Sequence, residues 1–112
     1  MDRKKELKEK YKQMKPEMGV YGFRSLATGQ LFLGCSADIK SKINRDKFQL
    51  GAGMLPNKKL QEEWNAYGEA QFEISAIEVL EYDKDETRTD YTEDLKELLA
   101  CVQEARPGAE LL

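Results

Sequence analysis

Gly19-Val20-Tyr21-Gly22-Phe23-Arg24, the connection Ser25-Leu26-Ala27-Thr28-Gly29-Gln30 and the return Leu31-Phe32-Leu33-Gly34-Cys35 decide the fold. Two short apolar, aromatic runs enclose a connection that contains a glycine. β-Branched and aromatic side chains suit a pleated, half-buried surface, so the stretch reads as a β-hairpin.

Downstream of the hairpin, Ser36 or Asp38 can cap a helix, with Asp38 near its positive end. That helix is expected to run to about Leu50, with Gly51 as a left-handed terminus. Ile39, Ile43 and Leu50 fall broadly on one side, and Lys42, Arg45 and Asp46 on another. The loop Gly51-Ala52-Gly53-Met54-Leu55-Pro56 leads to Asn57, a good N-cap. Leu60, Trp64 and Tyr67 then form an apolar stripe, which Gly68 stops. Phe72-Glu73-Ile74-Ser75-Ala76 alternates as a half-buried strand does, and the slip after Ala76 marks a bulge. The acidic stretch from Glu81 to Asp90 is a loop or the start of the last helix. Asp90 and Glu93 resemble a capping box, followed by one apolar face of Tyr91, Leu95, Leu98, Leu99 and Val102. Arg106-Pro107-Gly108 closes it.

Upstream, residues 2–15 are rich in Lys and Glu, with Leu7, Tyr11 and Met14 at helical spacing. Pro16 ends this weakly amphipathic helix. The elements make one α+β domain, a small three-stranded antiparallel sheet flanked by helices with an extra N-terminal helix. Residues 1–17 form a charged arm, 18–106 the domain and 107–112 a C-terminal tail. A chain of 112 residues has room for one modest core.

No apolar run approaches the roughly 20 residues that span a bilayer, and the charged N-terminus has no signal-peptide core. The expected location is therefore cytoplasmic, with no membrane partner. Two cysteines, Cys35 and Cys101, are too few for a disulfide framework and read as buried free thiols. The absence of histidine removes Ser-His and Cys-His nucleophilic pairs and disfavours zinc. Acid–base chemistry would have to come from Tyr, Lys, Asp or Glu.

The net charge of −3 conceals a strong polarity. Up to residue 60 there are 14 basic and 6 acidic side chains; beyond it there are 4 and 15. Such a division can place a basic face toward phosphate, or it can simply solvate helix faces.

Gly19-Val20-Tyr21 and Phe32-Leu33-Gly34, about ten residues apart on adjacent strands, resemble the two tripeptides of the GIY-YIG nucleases. Ser36-Ala37-Asp38-Ile39-Lys40-Ser41-Lys42 is similar to the start of that family's first helix. Pro56 to Gln61, Trp64 to Gly68 and Phe72-Glu73-Ile74 are similar to its second helix and third strand. The likeness runs from about residue 18 to 105 and implies a GIY-YIG-like sheet. It also implies phosphodiester hydrolysis with one divalent metal. A tyrosine hydroxyl would help activate water, a helix arginine would steady the phosphate, and a glutamate on the last helix would hold the metal. Cations at such a site offset the charge that builds on phosphate oxygens.

On this resemblance, Tyr21 keeps the first tyrosine's hydroxyl, whereas Phe32 stands at the second without one. The arginine falls at Lys42, eight residues after Gly34, which keeps charge but not the planar fork. Arg45, one turn on, can partly compensate. A histidine common in the family becomes Asp46, which would repel phosphate unless Lys42 or a metal neutralised it. Read without the family, Asp38, Lys42 and Asp46 form a helix-surface charge cluster, and that reading is preferred. The metal glutamate aligns near Leu99. Glu93 and Glu97 are the nearest carboxylates, and both point away from the apolar face. No resident cofactor is expected, with Mg²⁺ required only if cleavage survives.

Three functions follow. First is a GIY-YIG-like module that binds nucleic acid, DNA ahead of RNA, with impaired or absent cleavage. Its contacts would be Arg24, Lys40, Lys42, Arg45, Lys47, Lys58 and Lys59. Second is an active Mg²⁺-dependent endonuclease using Tyr21, Lys42 and a carboxylate. Third is a protein-interaction module that docks through the acidic last third. The sequence leaves the oligomeric state open.

Overall fold

The computed structural model describes residues 16–85 and 87–112. The expected N-terminal helix over residues 2–15 lies outside the described residues. The hairpin forms as read, with strand β1 over Met18–Ser25 and strand β2 over Leu31–Ser36, antiparallel. The turn is closed by Gly29 N–H donating to the Ser25 carbonyl at 2.8 Å.

Helix α1 spans Ile39–Gly51. Asp38 is its N-cap and accepts from Ser41 N–H at 3.1 Å, which satisfies one of the free donors of the first turn. The helix does not end at Gly51 as expected: Gly51 is helical, Ala52 is the C-cap, and the positive φ of 72° falls on Gly53. Helix α2 covers Lys58–Tyr67, with Asn57 capping it through Leu60 N–H and Gly68 leaving it at φ 82°. Buried Gln61 of α2 closes the connection between the two helices. It donates to the Leu50 carbonyl and accepts from Leu55 N–H.

Strand β3, Phe72–Leu80, pairs antiparallel with β1. The expected bulge is present. Tyr21 faces Ala76 but Val20 faces Glu78, so Ile77 is the extra residue. Helix α3 runs Thr92–Ala105. Its N-cap is Tyr91, with no side-chain cap bond, so the Asp90–Glu93 capping box is not formed. Asp90 instead accepts from Thr92, two residues on.

The sheet differs from the three antiparallel strands expected. A fourth strand, β4 (Glu110–Leu111), joins parallel to β2 and gives the order β3-β1-β2-β4. Residues assigned to the tail thus extend the sheet.

Alternation along β1 sorts the core into two layers. Tyr21 and Phe23 pack with Phe32, Ile39, Leu50 and Leu60 beneath α1 and α2. On the opposite face, Met18 and Val20 pack with Leu33, Tyr91, Leu95 and Val102 against α3. Trp64 packs against Phe72 with tilted rings 5.3 Å apart, but Tyr67 is exposed and does not complete the expected stripe. Cys35 is half-buried and Cys101 exposed, so only the free state of the thiols agrees with the sequence reading. Among the described residues no helix is long and apolar enough to cross a membrane.

Candidate active-site region on α1 and the hairpin

The two hairpin tripeptides meet through a missing side chain. Tyr21 and Gly34 are direct cross-strand partners. A Cβ on Gly34 would stand 2.7 Å from the Tyr21 hydroxyl oxygen and 2.8 Å from Cζ. Glycine at this point lets the tyrosine ring lie across β2 and aim its hydroxyl at α1.

There the hydroxyl meets Asp46. Tyr21 Oη donates to Asp46 Oδ2 at 2.6 Å, and Lys42 Nζ donates to Asp46 Oδ1 at 2.8 Å. Both carboxylate oxygens are engaged in short, charge-assisted bonds. Tyr21 and Asp46 are each only 1% exposed, while the Lys42 side chain keeps 39% of its surface. Burial first, then the hydrogen bond and charge of Asp46, push the Tyr21 hydroxyl far above its ordinary range.

This overturns the reading of Asp38, Lys42 and Asp46 as a surface cluster. Asp38 caps the helix, and Asp46 lies in the core. The sequence held a signal for it. At roughly 100° per residue, Ile39, Ile43, Asp46 and Leu50 lie on one stripe, so Asp46 sits on the apolar side of α1. Phe32 fills the same core cluster as Tyr21 and has no hydroxyl to offer.

The basic residues do not share one face. Arg24 shares the face of Val20 and stands opposite Glu73, on the sheet face away from Tyr21. Lys47 pairs with Glu69 at 2.7 Å, and Lys59 pairs with Glu110 at 3.0 Å. Among the described residues no ion pair engages Lys40, Arg45 or Lys58. Lys40 and Arg45 are exposed on α1, and Lys58 is exposed at the start of α2. A cleft of about 620 Å³ opens between α1 and β3 over Ile39, Ile43, Ile74 and Ala76, on the flank of α1 away from Lys42.

Glu93 and Glu97 are exposed on α3, across the sheet from Tyr21. Among the described residues no three Asp, Glu or Cys side chains come together to hold a metal ion. The donor set that a divalent metal would need beside Tyr21 does not fit among the described residues: the carboxylate there, Asp46, is buried with both oxygens occupied.

Comparison with solved structures finds the same architecture. The catalytic domain of the homing endonuclease I-TevI superposes with a TM-score of 0.62 at 20% identity, covering 85% of this chain and 97% of that one. The fold is that of the GIY-YIG nucleases. A mutant of the same catalytic domain, described as an intron endonuclease, superposes with a TM-score of 0.54 at 26% identity, covering 77% of this chain and 88% of that one. No protein-family model matches the sequence, and no curated protein matches it. On this scaffold Gly34 seats the Tyr21 ring, and the polar partners of the tyrosine are Asp46 and, through it, Lys42.

Proposed function

We propose that this chain is a nucleic-acid-binding domain on the GIY-YIG scaffold, with DNA its preferred partner, that grips phosphate without cleaving it. The observation that carries the reading is the buried Tyr21–Asp46–Lys42 chain. A hydroxyl that helps water attack phosphorus must reach that water and take its proton. Here the hydroxyl is sealed from solvent, and its proton is committed to a carboxylate. Lys42, which the resemblance assigns to the phosphate, spends one of its donors on the same carboxylate. Losing one preorganised charge stabiliser typically costs ~10²–10³ in rate, and the losses here fall on one site. Cleavage by the family's route is not supported.

Binding is supported by the helix that carries these residues. The single acid of α1, Asp46, is buried, so the helix's own exposed surface carries no carboxylate and presents Lys40, Lys42 and Arg45, while Lys47 is held by Glu69 of the segment after α2. Burial of Asp46 behind Tyr21 also removes the repulsion that its place in the sequence would suggest. Phosphate contacts of this kind give affinity without sequence reading.

The test pairs gel retention of a DNA duplex with relaxation of supercoiled plasmid in Mg²⁺. Retention without nicking is the expected result. Metal-dependent nicking that disappears in Tyr21→Phe would instead establish a working endonuclease. Absence of retention of both a duplex and a single strand would favour docking through the acidic last third.

A further inference from the structure

Resting on the nucleic-acid reading above, we infer that Phe48 is a stacking platform for an unpaired base, which makes single-stranded or unwound nucleic acid the preferred ligand. A lone exposed phenyl ring is ordinary on a protein surface. The setting of this one is not. Phe48 is 77% exposed. It stands almost diametrically opposite the stripe of Ile39, Ile43, Asp46 and Leu50 that seats α1 on the sheet, so it contributes nothing to the core. It shares the outer surface of the helix with Ser41, Asn44 and Arg45, all exposed.

Arg45 lies one turn before Phe48, where side chains three apart are neighbours. Among the described residues no ion pair engages it, and the exposed surface of the helix carries no carboxylate. A cation free to meet phosphate beside an aromatic ring, with amide and hydroxyl groups alongside, matches what single-stranded nucleic acid presents: charged backbone and exposed base faces. An intact duplex offers that ring no apolar surface outside its grooves, because its bases are stacked on one another. A hydrophobic protein partner would be poorly matched to the exposed Ser41, Asn44 and Arg45 beside the ring. The platform lies on the solvent side of α1, away from the Tyr21–Asp46 bond, and needs no cleavage chemistry.

The experiment is fluorescence anisotropy with a labelled oligothymidine strand and, separately, a blunt duplex of equal length. It uses the wild type, Phe48→Ala, Phe48→Leu, Phe48→Trp and Arg45→Gln, with circular dichroism confirming that each variant is folded. Base stacking on an aromatic ring is typically worth a loss of roughly tenfold or more on truncation. The wild type is expected to hold the strand more tightly than the duplex. Phe48→Ala and Phe48→Leu should both erase that preference, Phe48→Trp should keep it, and Arg45→Gln should weaken both ligands. Equal loss of strand and duplex in Phe48→Ala would overturn the stacking role. So would an unchanged affinity, or a Leu variant that binds like wild type. In those cases salt-dependent duplex binding would still uphold the broader reading. If neither ligand binds wild type, the broader reading fails and the platform fails with it.

Discussion

Asp46 stands four residues after Lys42 and on the same helical stripe as three aliphatic side chains, and these two relations explain its role in different ways. The first makes an ion pair at helical spacing; the second carries the carboxylate into the core, where only a hydrogen-bonded and paired charge is tolerated. The sequence displays both relations, yet charge alone suggests a surface residue, and the Tyr21 hydroxyl that satisfies Asp46 comes from 25 positions away. No local pattern announces such a partner. Lys42→Met should destabilise most, because it leaves the buried Asp46 carboxylate with only its Tyr21 bond, though with Lys42 39% exposed the cost stays below that of a fully buried pair. Asp46→Asn, which keeps an acceptor for Tyr21, should cost less, about 1–3 kcal/mol. Urea unfolding of both variants checks the order. The Tyr21 hydroxyl also makes stability depend on alkali. Its folded pKa is raised, so above about pH 10 the unfolded chain loses a proton that the native state keeps, and stability falls as pH rises. The fall from this group is about 1.4 kcal/mol per pH unit. Tyr82, whose hydroxyl is also raised, contributes with the same sign, so the informative quantity is the difference from Tyr21→Phe. Unfolding curves at neutral pH and above pH 10 should show a shallower decline in that variant.

At the scale of elements, the hairpin, both following helices and the bulged third strand were legible because each rests on a local rule: alternation, a capping side chain, a terminating glycine. The fourth strand was not. It is two residues long, has no pattern of its own, and is held by neighbours: Lys59 to Glu110, Asn57 to the Leu111 carbonyl, and Leu112 N–H to the Leu33 carbonyl. The α3 cap failed for a related reason. Asp90 found a nearer donor in Thr92 and turned the chain before the helix began. Within the sheet, two glycines serve close approach rather than turning. At Gly19, with φ of 148°, a Cβ would fall 2.1 Å from the Glu78 carbonyl oxygen, where the bulge brings β3 inward. At Gly34 it would displace the Tyr21 ring. Gly34→Ala should therefore cost about 1–3 kcal/mol and break the Tyr21–Asp46 bond as well. Combined with Tyr21→Phe, the two losses should be less than additive, which a double-mutant cycle by urea unfolding would reveal.

For the molecule as a whole, the division of charge seen in the sequence survives only in part. Arg24 lies across the sheet beside Glu73, while Lys47 and Lys59 reach acidic partners from the second half of the chain. What remains for phosphate is concentrated on α1 and the first turn of α2, a narrower surface than counting charges implied. A surface with few phosphate contacts should have a modest salt slope, since each contact adds close to one counterion released. The binding claim stands or falls on one measurement: the anisotropy of a labelled DNA titrated with this protein at low and near-physiological salt. Binding at low salt that weakens toward physiological salt with a slope of only a few counterions is the predicted result, and it would support phosphate contact by the few basic side chains left free. Absence of binding at both salts, or an affinity indifferent to salt, would contradict the account.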